Sequence, residues 1–397
     1  MLHPAITWHG GAERQILTLA LELQRLNHKV EIFTTAIDNT CYPEMVRQLT
    51  INVVQPSWIN KKGTNQKRTF RTRLSGRLKG YTVDLPSMVY MARQIPKGFD
   101  IINCHNAPTH WAGVFVKRKL DVPIVWSCNE PPHWYSDPIQ RRGLGRISHP
   151  LYAGLDKTAV SCVDKIVANS SAGVKRIQKA YGRFSIAVNP GISTDLFRNS
   201  SGYRARIKVN LESDFVLLQV GNIAQDKRQI DSIMALYYLC KKYENVKLIL
   251  VGQGPRDKLA KLSKSLGVEQ KVLFLQDVSE QELADIYAAC EVFIFPAQIT
   301  WGLVVLEAMA SSKPVVVAEE TGVSELITDG MNGVIVKEPY AENMAAEVEK
   351  LMADANLRLR MGCNAYECVS GNLSWAVYAK KMEGVFRKVI QTYRAAN

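Results

Sequence analysis

Residues 292–310, VFIFPAQITWGLVVLEAMA, constrain the fold more than any other stretch. Val292-Phe293-Ile294-Phe295 is apolar, β-branched and aromatic, and reads as a buried strand. Pro296 stops it. A short polar loop leads to Gly302, and apolar residues at Leu303, Leu306, Met309 and Ala310 then follow helix spacing. In an open α/β sheet a strand-to-helix turn lies at the carboxyl edge of the strands, where ligands bind. The N–H groups of Gly302, Leu303 and Val304 have no acceptor inside the helix and can hold an anion. Glu307 is the one carboxylate in an otherwise apolar helix. A buried acid needs a partner, and a pair of sugar hydroxyls is a suitable one. Taken alone, 302–310 is better read as a plain helix packed on a sheet; further motifs in a matching order change that weighting.

The run G-L-V-V-L-E-A-M-A after F-x-x-P resembles the signature of retaining GT-B glycosyltransferases of the family-4 type. The resemblance implies two Rossmann-like β/α/β domains facing each other across a cleft. Glu307 would grip the ribose of a nucleotide-sugar donor, with the helix start facing the donor phosphates. The chain departs from the family pattern at Ile299, where a second glutamate is usual. Gln298 or Thr300 takes over part of that work, or the carboxylate is absent.

At 397 residues the chain is long enough for two or three domains. No apolar run approaches the roughly 18 residues needed to span a bilayer, and the amino-terminal residues do not read as a signal peptide. Cys104, Cys128, Cys162, Cys240 and Cys290 lie in or beside apolar runs, without C-x-x-C pairs. They read as buried thiols of a cytoplasmic protein rather than disulfides or zinc ligands. The net charge of +13 favours acidic partners: phosphate-bearing substrates, an anionic membrane face or nucleic acid. Much of it falls between residues 61 and 79, where Lys61, Lys62, Lys67, Arg68, Arg71, Arg73, Arg77 and Lys79 alternate with Phe70, Leu74 and Leu78. Two readings stay open for this stretch: a solvated loop, or a patch touching anionic lipid or a lipid-linked pyrophosphate on the inner membrane face. Such patches gain about 1 kcal/mol per basic residue. Nucleic acid is disfavoured, since no recognisable module is present.

Along the chain, residues 1–7 read as the tail of a strand, so either the start lies too far downstream or the first strand is short. Gly10-Gly11-Ala12-Glu13-Arg14 precedes an amphipathic helix; two glycines let a backbone approach a ligand closely. In the family this Gly10-Gly11 loop covers the donor diphosphate and borders the acceptor, which also places Arg14 on the acceptor side. Strands are expected near 30–34, 99–105, 123–128 and 165–170. His105 ends one of them and matches a family histidine, with its role open. Asn129 stands where many relatives carry a histidine touching donor or acceptor. Glu130 either orients acceptor hydroxyls or caps a turn.

The segment 188–197 resembles the family's domain-crossing P-G-[VI]-D-x-x-x-F. It sets domains of 1–190 and 191–372, with a helix over 373–397 crossing back. The second domain opens with a strand at 215–220 followed by Gly221 to Lys227, similar to the family's G-R-x-x-x-x-K. Lys227 matches the lysine, while Asn222 replaces the arginine and Arg228 partly compensates. A lysine beside a helix start opposes the helix dipole, so either a phosphate neighbours it or it is an ordinary surface residue. Val278 would flank the nucleobase, and Ser279 with Glu282 forms a capping box.

The catalytic candidates are thus Glu307, Lys227 and Asn129. The donor set is Gly10, Gly11, Asn222, Lys227, Arg228, Val278, Thr300, Gly302, Leu303, Val304 and Glu307. Glu130, His105 and Arg14 face the acceptor, a glycan or lipid-linked sugar. No D-x-D pair is present, so neither a metal nor another cofactor is expected, the nucleotide sugar (GDP-mannose or a UDP-hexose) being a co-substrate. The competing readings are a GT-B-shaped epimerase or hydrolase, and a non-catalytic subunit that binds a nucleotide sugar.

Overall fold

A computed structural model describes residues 1–54, 84–132, 145–208, 211 and 213–396; the side chains of 145–152 lie outside that description. The basic stretch 61–79 also lies outside it. The chain divides into two compact units, Met1–Asn189 with Tyr378–Asn397, and Pro190–Val377.

Among the described residues the first unit carries seven parallel strands: β1 (Leu2–His3), β2 (Glu31–Thr34), β3 (Thr50–Val53), β4 (Ile102–His105), β5 (Ile124–Cys128), β6 (Lys165–Ala168) and β7 (Ser185–Ala187). Their order is β3-β2-β1-β4-β5-β6-β7. β1 is only two residues long yet sits centrally, with Leu2 paired to Phe33 on one side and Cys104 on the other. The helix Gly11–Arg25 follows it and buries Ile16, Leu17, Leu19, Ala20 and Leu23. Ser170 caps the helix Ser171–Tyr181 by accepting from the Gly173 N–H at 3.0 Å.

The second unit carries six parallel strands: β8 (Phe215–Val220), β9 (Val246–Val251), β10 (Val272–Leu275), β11 (Val292–Phe295), β12 (Val315–Ala318) and β13 (Val334–Val336). Their order, β10-β9-β8-β11-β12-β13, is that of a doubly wound dinucleotide-type sheet. Each strand supplies both faces of the core, because successive side chains point to opposite sides. Phe293 and Phe295 enter one apolar cluster with Val216, Leu218 and Ile249. Val292 and Ile294 enter the other with Leu217, Leu248 and Leu250. Burying a side chain of this size stabilises by roughly 1.5–3 kcal/mol. That is why a parallel sheet needs unbroken apolar runs such as VFIF.

The second unit starts at Pro190 and includes residues 373–377. The Ile192 N–H donates to the Leu373 carbonyl at 2.7 Å, and Leu373 and Trp375 are buried. The long helix Trp375–Ala396 therefore begins in the second unit. It continues into the first, where Tyr378, Ala379 and Met382 are buried. Among the described residues no helix is long and apolar enough to cross a membrane. All eight cysteines are free thiols; Cys104, Cys128 and Cys290 are buried, and Cys162 and Cys240 are half-buried.

Candidate functional site

In the second unit the sheet order reverses between β8 and β11, and the loops after these strands meet there. The Gln298 N–H, from the loop after β11, donates to the Asp226 carbonyl of the loop after β8 at 3.0 Å. The loop after β12 joins them: the Gly322 N–H donates to the Ile299 carbonyl at 2.8 Å, and the Thr321 hydroxyl donates to the Ala297 carbonyl. On the other side, the Ile223 N–H donates to the Gln253 carbonyl at 2.7 Å. Gln253 Nε2 donates to Asp277 Oδ1, beside Val278. Gly252 is required here: a Cβ on it would stand 2.1 Å from the Gly221 carbonyl oxygen, and its φ is +153°.

Two positively polarised features lie in the loops of this edge. The first is the start of the helix Leu303–Ala310, where no side chain caps Gly302. The N–H groups of Leu303 and Val304 lie in its first turn, without an acceptor inside the helix. The second is Lys227, whose Nζ lies 2.7 Å from Asp226 Oδ2. Its backbone is held from below: Gln219, buried in β8, donates from Nε2 to the Lys227 carbonyl at 2.7 Å. Gln219 Oε1 in turn accepts from Ser232 Oγ at 2.8 Å. Lys227 ends a 3-10 turn, Gln225–Lys227, rather than opening the α-helix, which spans Gln229–Cys240.

Glu307 lies one turn into its helix and is 4% exposed. Its Oε2 accepts from the hydroxyl of Tyr287 at 2.8 Å, and the same hydroxyl lies 3.1 Å from the Val304 carbonyl. Thr300 is buried, and Ile299 packs on the apolar core rather than offering a polar group. Arg228, expected as a substitute cation, is engaged elsewhere. It adopts φ +52° and pairs with Asp231 at 2.7 Å and Glu338 at 2.6 Å, over the ring of Tyr340. Asn222 is exposed in the same loop, its carbonyl accepting from Gln229 Nε2 at 3.0 Å.

Gly10, Gly11, Arg14, His105, Asn129 and Glu130 belong to the first unit, at the carboxyl edge of its own sheet. Arg14 lies 5.6 Å over the ring of Tyr42, whose hydroxyl donates to the Gly10 carbonyl at 3.2 Å. Glu13 lies against Gly10, and burial raises its carboxyl above the usual range. Glu130 pairs with Arg176 at 2.5 Å, and Asn129 is half-buried after β5. His105, expected on the acceptor side, is wholly buried as the last residue of central β4. Burial holds its ring well below the usual histidine range, and neighbouring His3 acts in the same direction. His3 is likewise pushed down by burial, to about 4.

Sequence reading missed Tyr287, Gln219 and Asp226. Gln219 carried a signal, a lone amide in the apolar strand FVLLQV; Tyr287 carried none, because its link to Glu307 spans two helices. Among the described residues no cluster of three or more His, Cys, Asp or Glu is placed to hold a metal ion.

Fold and site together define a protein of two parallel-sheet α/β units with an anion-ready strand-to-helix edge. Residues 204–368 match the family model of glycosyl transferases group 1, and residues 9–196 match that of glycosyltransferase family 4. The chain is 25% identical to a D-inositol 3-phosphate glycosyltransferase of Streptomyces bingchenggensis, over 97% of this chain and 86% of that protein. It is 26% identical to an uncharacterized glycosyltransferase of Methanocaldococcus jannaschii, over 96% and 97% of the two. Among solved structures it resembles Anabaena HepE in complex with UDP-glucose, with a TM-score of 0.76 at 19% identity over 98% of both chains. It also resembles a sucrose-phosphate synthase of Thermosynechococcus elongatus, with a TM-score of 0.76 at 17% identity over 99% and 100%. The chain belongs to the group 1 glycosyltransferases of the GT-B fold.

Proposed function

We propose that this protein transfers a hexose from a nucleotide sugar to a glycan or lipid-linked acceptor, with retention of anomeric configuration and without a metal ion. The observation that carries the reading is the backbone bond between Asp226 and Gln298. It ties the Lys227 loop to the loop that starts the Glu307 helix, so an ammonium and a helix start serve one sheet edge. Phosphates suit that pair electrostatically, and Glu307 suits the hydroxyls of a ribose. A UDP-hexose has the support of the UDP-glucose complex of HepE; GDP-mannose is the alternative donor.

Transfer breaks the bond between the anomeric carbon and the diphosphate oxygen, whose electron pair leaves with the nucleoside diphosphate. Lys227 and the N–H groups of Leu303 and Val304 stabilise that charge as it develops. The acceptor hydroxyl attacks from the same face and passes its proton to a departing phosphate oxygen. The basic stretch 61–79 would hold the protein against an anionic membrane face when the acceptor is lipid-linked.

The test begins with thermal shift against UDP-glucose and GDP-mannose, since a true ligand raises the midpoint by mass action. Transfer to a panel of methyl glycosides and polyprenyl-diphosphate sugars is then followed by NMR of the anomeric proton. A retained anomer, formed equally with EDTA present, is expected. An inverted anomer rejects retention, and loss of turnover with EDTA rejects metal independence. Sugar release without acceptor marks a hydrolase, and binding without turnover a non-catalytic subunit.

A further inference from the structure

The Lys227 loop is fixed at three consecutive residues. The Asp226 carbonyl takes the Gln298 N–H at 3.0 Å, and the Lys227 carbonyl takes the amide of Gln219 at 2.7 Å. Arg228 is held by two carboxylates and an aromatic ring. The backbone has little room to move, so the Lys227 ammonium is redirected by its own side-chain torsions alone. The ammonium rests on Asp226 Oδ2 at 2.7 Å, and both side chains are partly exposed, 22% and 37%.

We infer that Asp226 is a built-in competitor for the donor diphosphate: its carboxylate occupies the Lys227 ammonium when the site is empty and is displaced when phosphate arrives. This rests on the donor reading above. Once displaced, the carboxylate cannot leave the neighbourhood, because its backbone is pinned to the Gln298 loop. It then stands as a like charge beside the bound phosphates. The exchange has two consequences. Binding of a diphosphate is weakened relative to a monophosphate, because each added phosphate charge meets both the competition and the repulsion. Release of the nucleoside diphosphate left after transfer is hastened, because Asp226 reclaims Lys227 as the product departs. Asp226 is thus a residue that sets turnover through Lys227 rather than one that touches the transferred sugar.

The experiment is calorimetric titration of UDP, UMP, GDP and GMP into wild-type protein, Asp226→Asn and Asp226→Ser, with thermal midpoints recorded for all three. In both variants the diphosphate should bind about fivefold more tightly, the scale of a partly exposed ion pair. The monophosphates should tighten less, so the affinity ratio of diphosphate to monophosphate should rise by a smaller factor, and the midpoints should stay unchanged. A purely structural role would shift both nucleotides and the midpoint together. Unchanged or weaker diphosphate binding in variants of a wild type that does bind UDP or GDP overturns the inference alone. A wild type that binds none of the four nucleotides overturns the donor reading and the inference with it. Two variants of different size guard against loss of folding by either one.

Discussion

Tyr287→Phe isolates the support of Glu307. The substitution keeps the ring, which meets Phe197 edge-on at 5.6 Å and Phe293 at 5.7 Å, and removes only the hydroxyl. That hydroxyl is buried and lies 2.8 Å from the carboxyl of a residue that is itself 4% exposed. Taking away a buried donor while its acceptor stays costs about 1–3 kcal/mol, because the acceptor keeps its desolvation cost. Taking about 2 kcal/mol, and 2–4 °C per kcal/mol for domains of about 150–250 residues, the midpoint should fall by roughly 4–8 °C. The ring still fills its space, so no cavity term is added. The Glu307 carboxyl should also lose this tie, one turn from the helix start. Nucleotide affinity is then expected to drop by about tenfold with a smaller change in kcat, the pattern of a lost binding contact. Differential scanning calorimetry and donor titration read both effects. A variant that melts with the wild type and binds nucleotide equally well would refute the view that Tyr287 holds Glu307.

Three other outcomes follow from the same geometry. Lys227→Ala should weaken nucleoside-diphosphate binding by about ten- to a hundredfold and flatten its salt dependence, measured by titration at several ionic strengths. Gly252→Ala should lower stability by more than about 3 kcal/mol in urea unfolding, since its Cβ would meet the Gly221 carbonyl at 2.1 Å in a backbone conformation side chains avoid. The first unit should lose stability on acidification. His3 takes up its proton near 6.5 when unfolded but near 4 when folded, so between these values the unfolded chain binds more protons. Stability is therefore full above pH 6.5 and falls by up to roughly 3 kcal/mol as the pH drops to 4. His105 acts in the same direction, and His3→Asn should flatten melting curves recorded from pH 7.5 to 4.5.

Much of the fold was legible where one strand carries its own signal. The apolar runs 215–220, 246–251, 272–275, 292–295 and 334–336 are strands over those residues. Each is a mainly apolar run, and that local pattern is legible even in β10 and β13, which lie at the edges of their sheet. β3 and β7 were not legible. Thr50–Val53 and Ser185–Ala187 are edge strands, short and mostly half-exposed or exposed, and only pairing with a neighbour makes them strands. The same division holds at the site. The free helix start at Gly302 and the lone Glu307 could be read from local pattern. The ties that orient them, Tyr287 to Glu307 and Asp226 to Gln298, span 20 and 72 positions and leave no periodic trace. Arg228 shows the same limit: the residue type was legible, but its pairing with Asp231 and Glu338 was not.

The division of the chain also bears on the order in which it folds during synthesis. Residues 190–377 are contiguous and contain every strand of their sheet, so this unit can collapse as soon as it leaves the ribosome. The earlier unit cannot finish then. Gln15 hydrogen-bonds Tyr378 at 2.7 Å, and Tyr378–Asn397 belong to this unit, so its last packing surface is translated after the whole of its successor. The half made first is completed last, and a stalled ribosome short of residue 378 would expose an unfinished apolar face for a chaperone to shield.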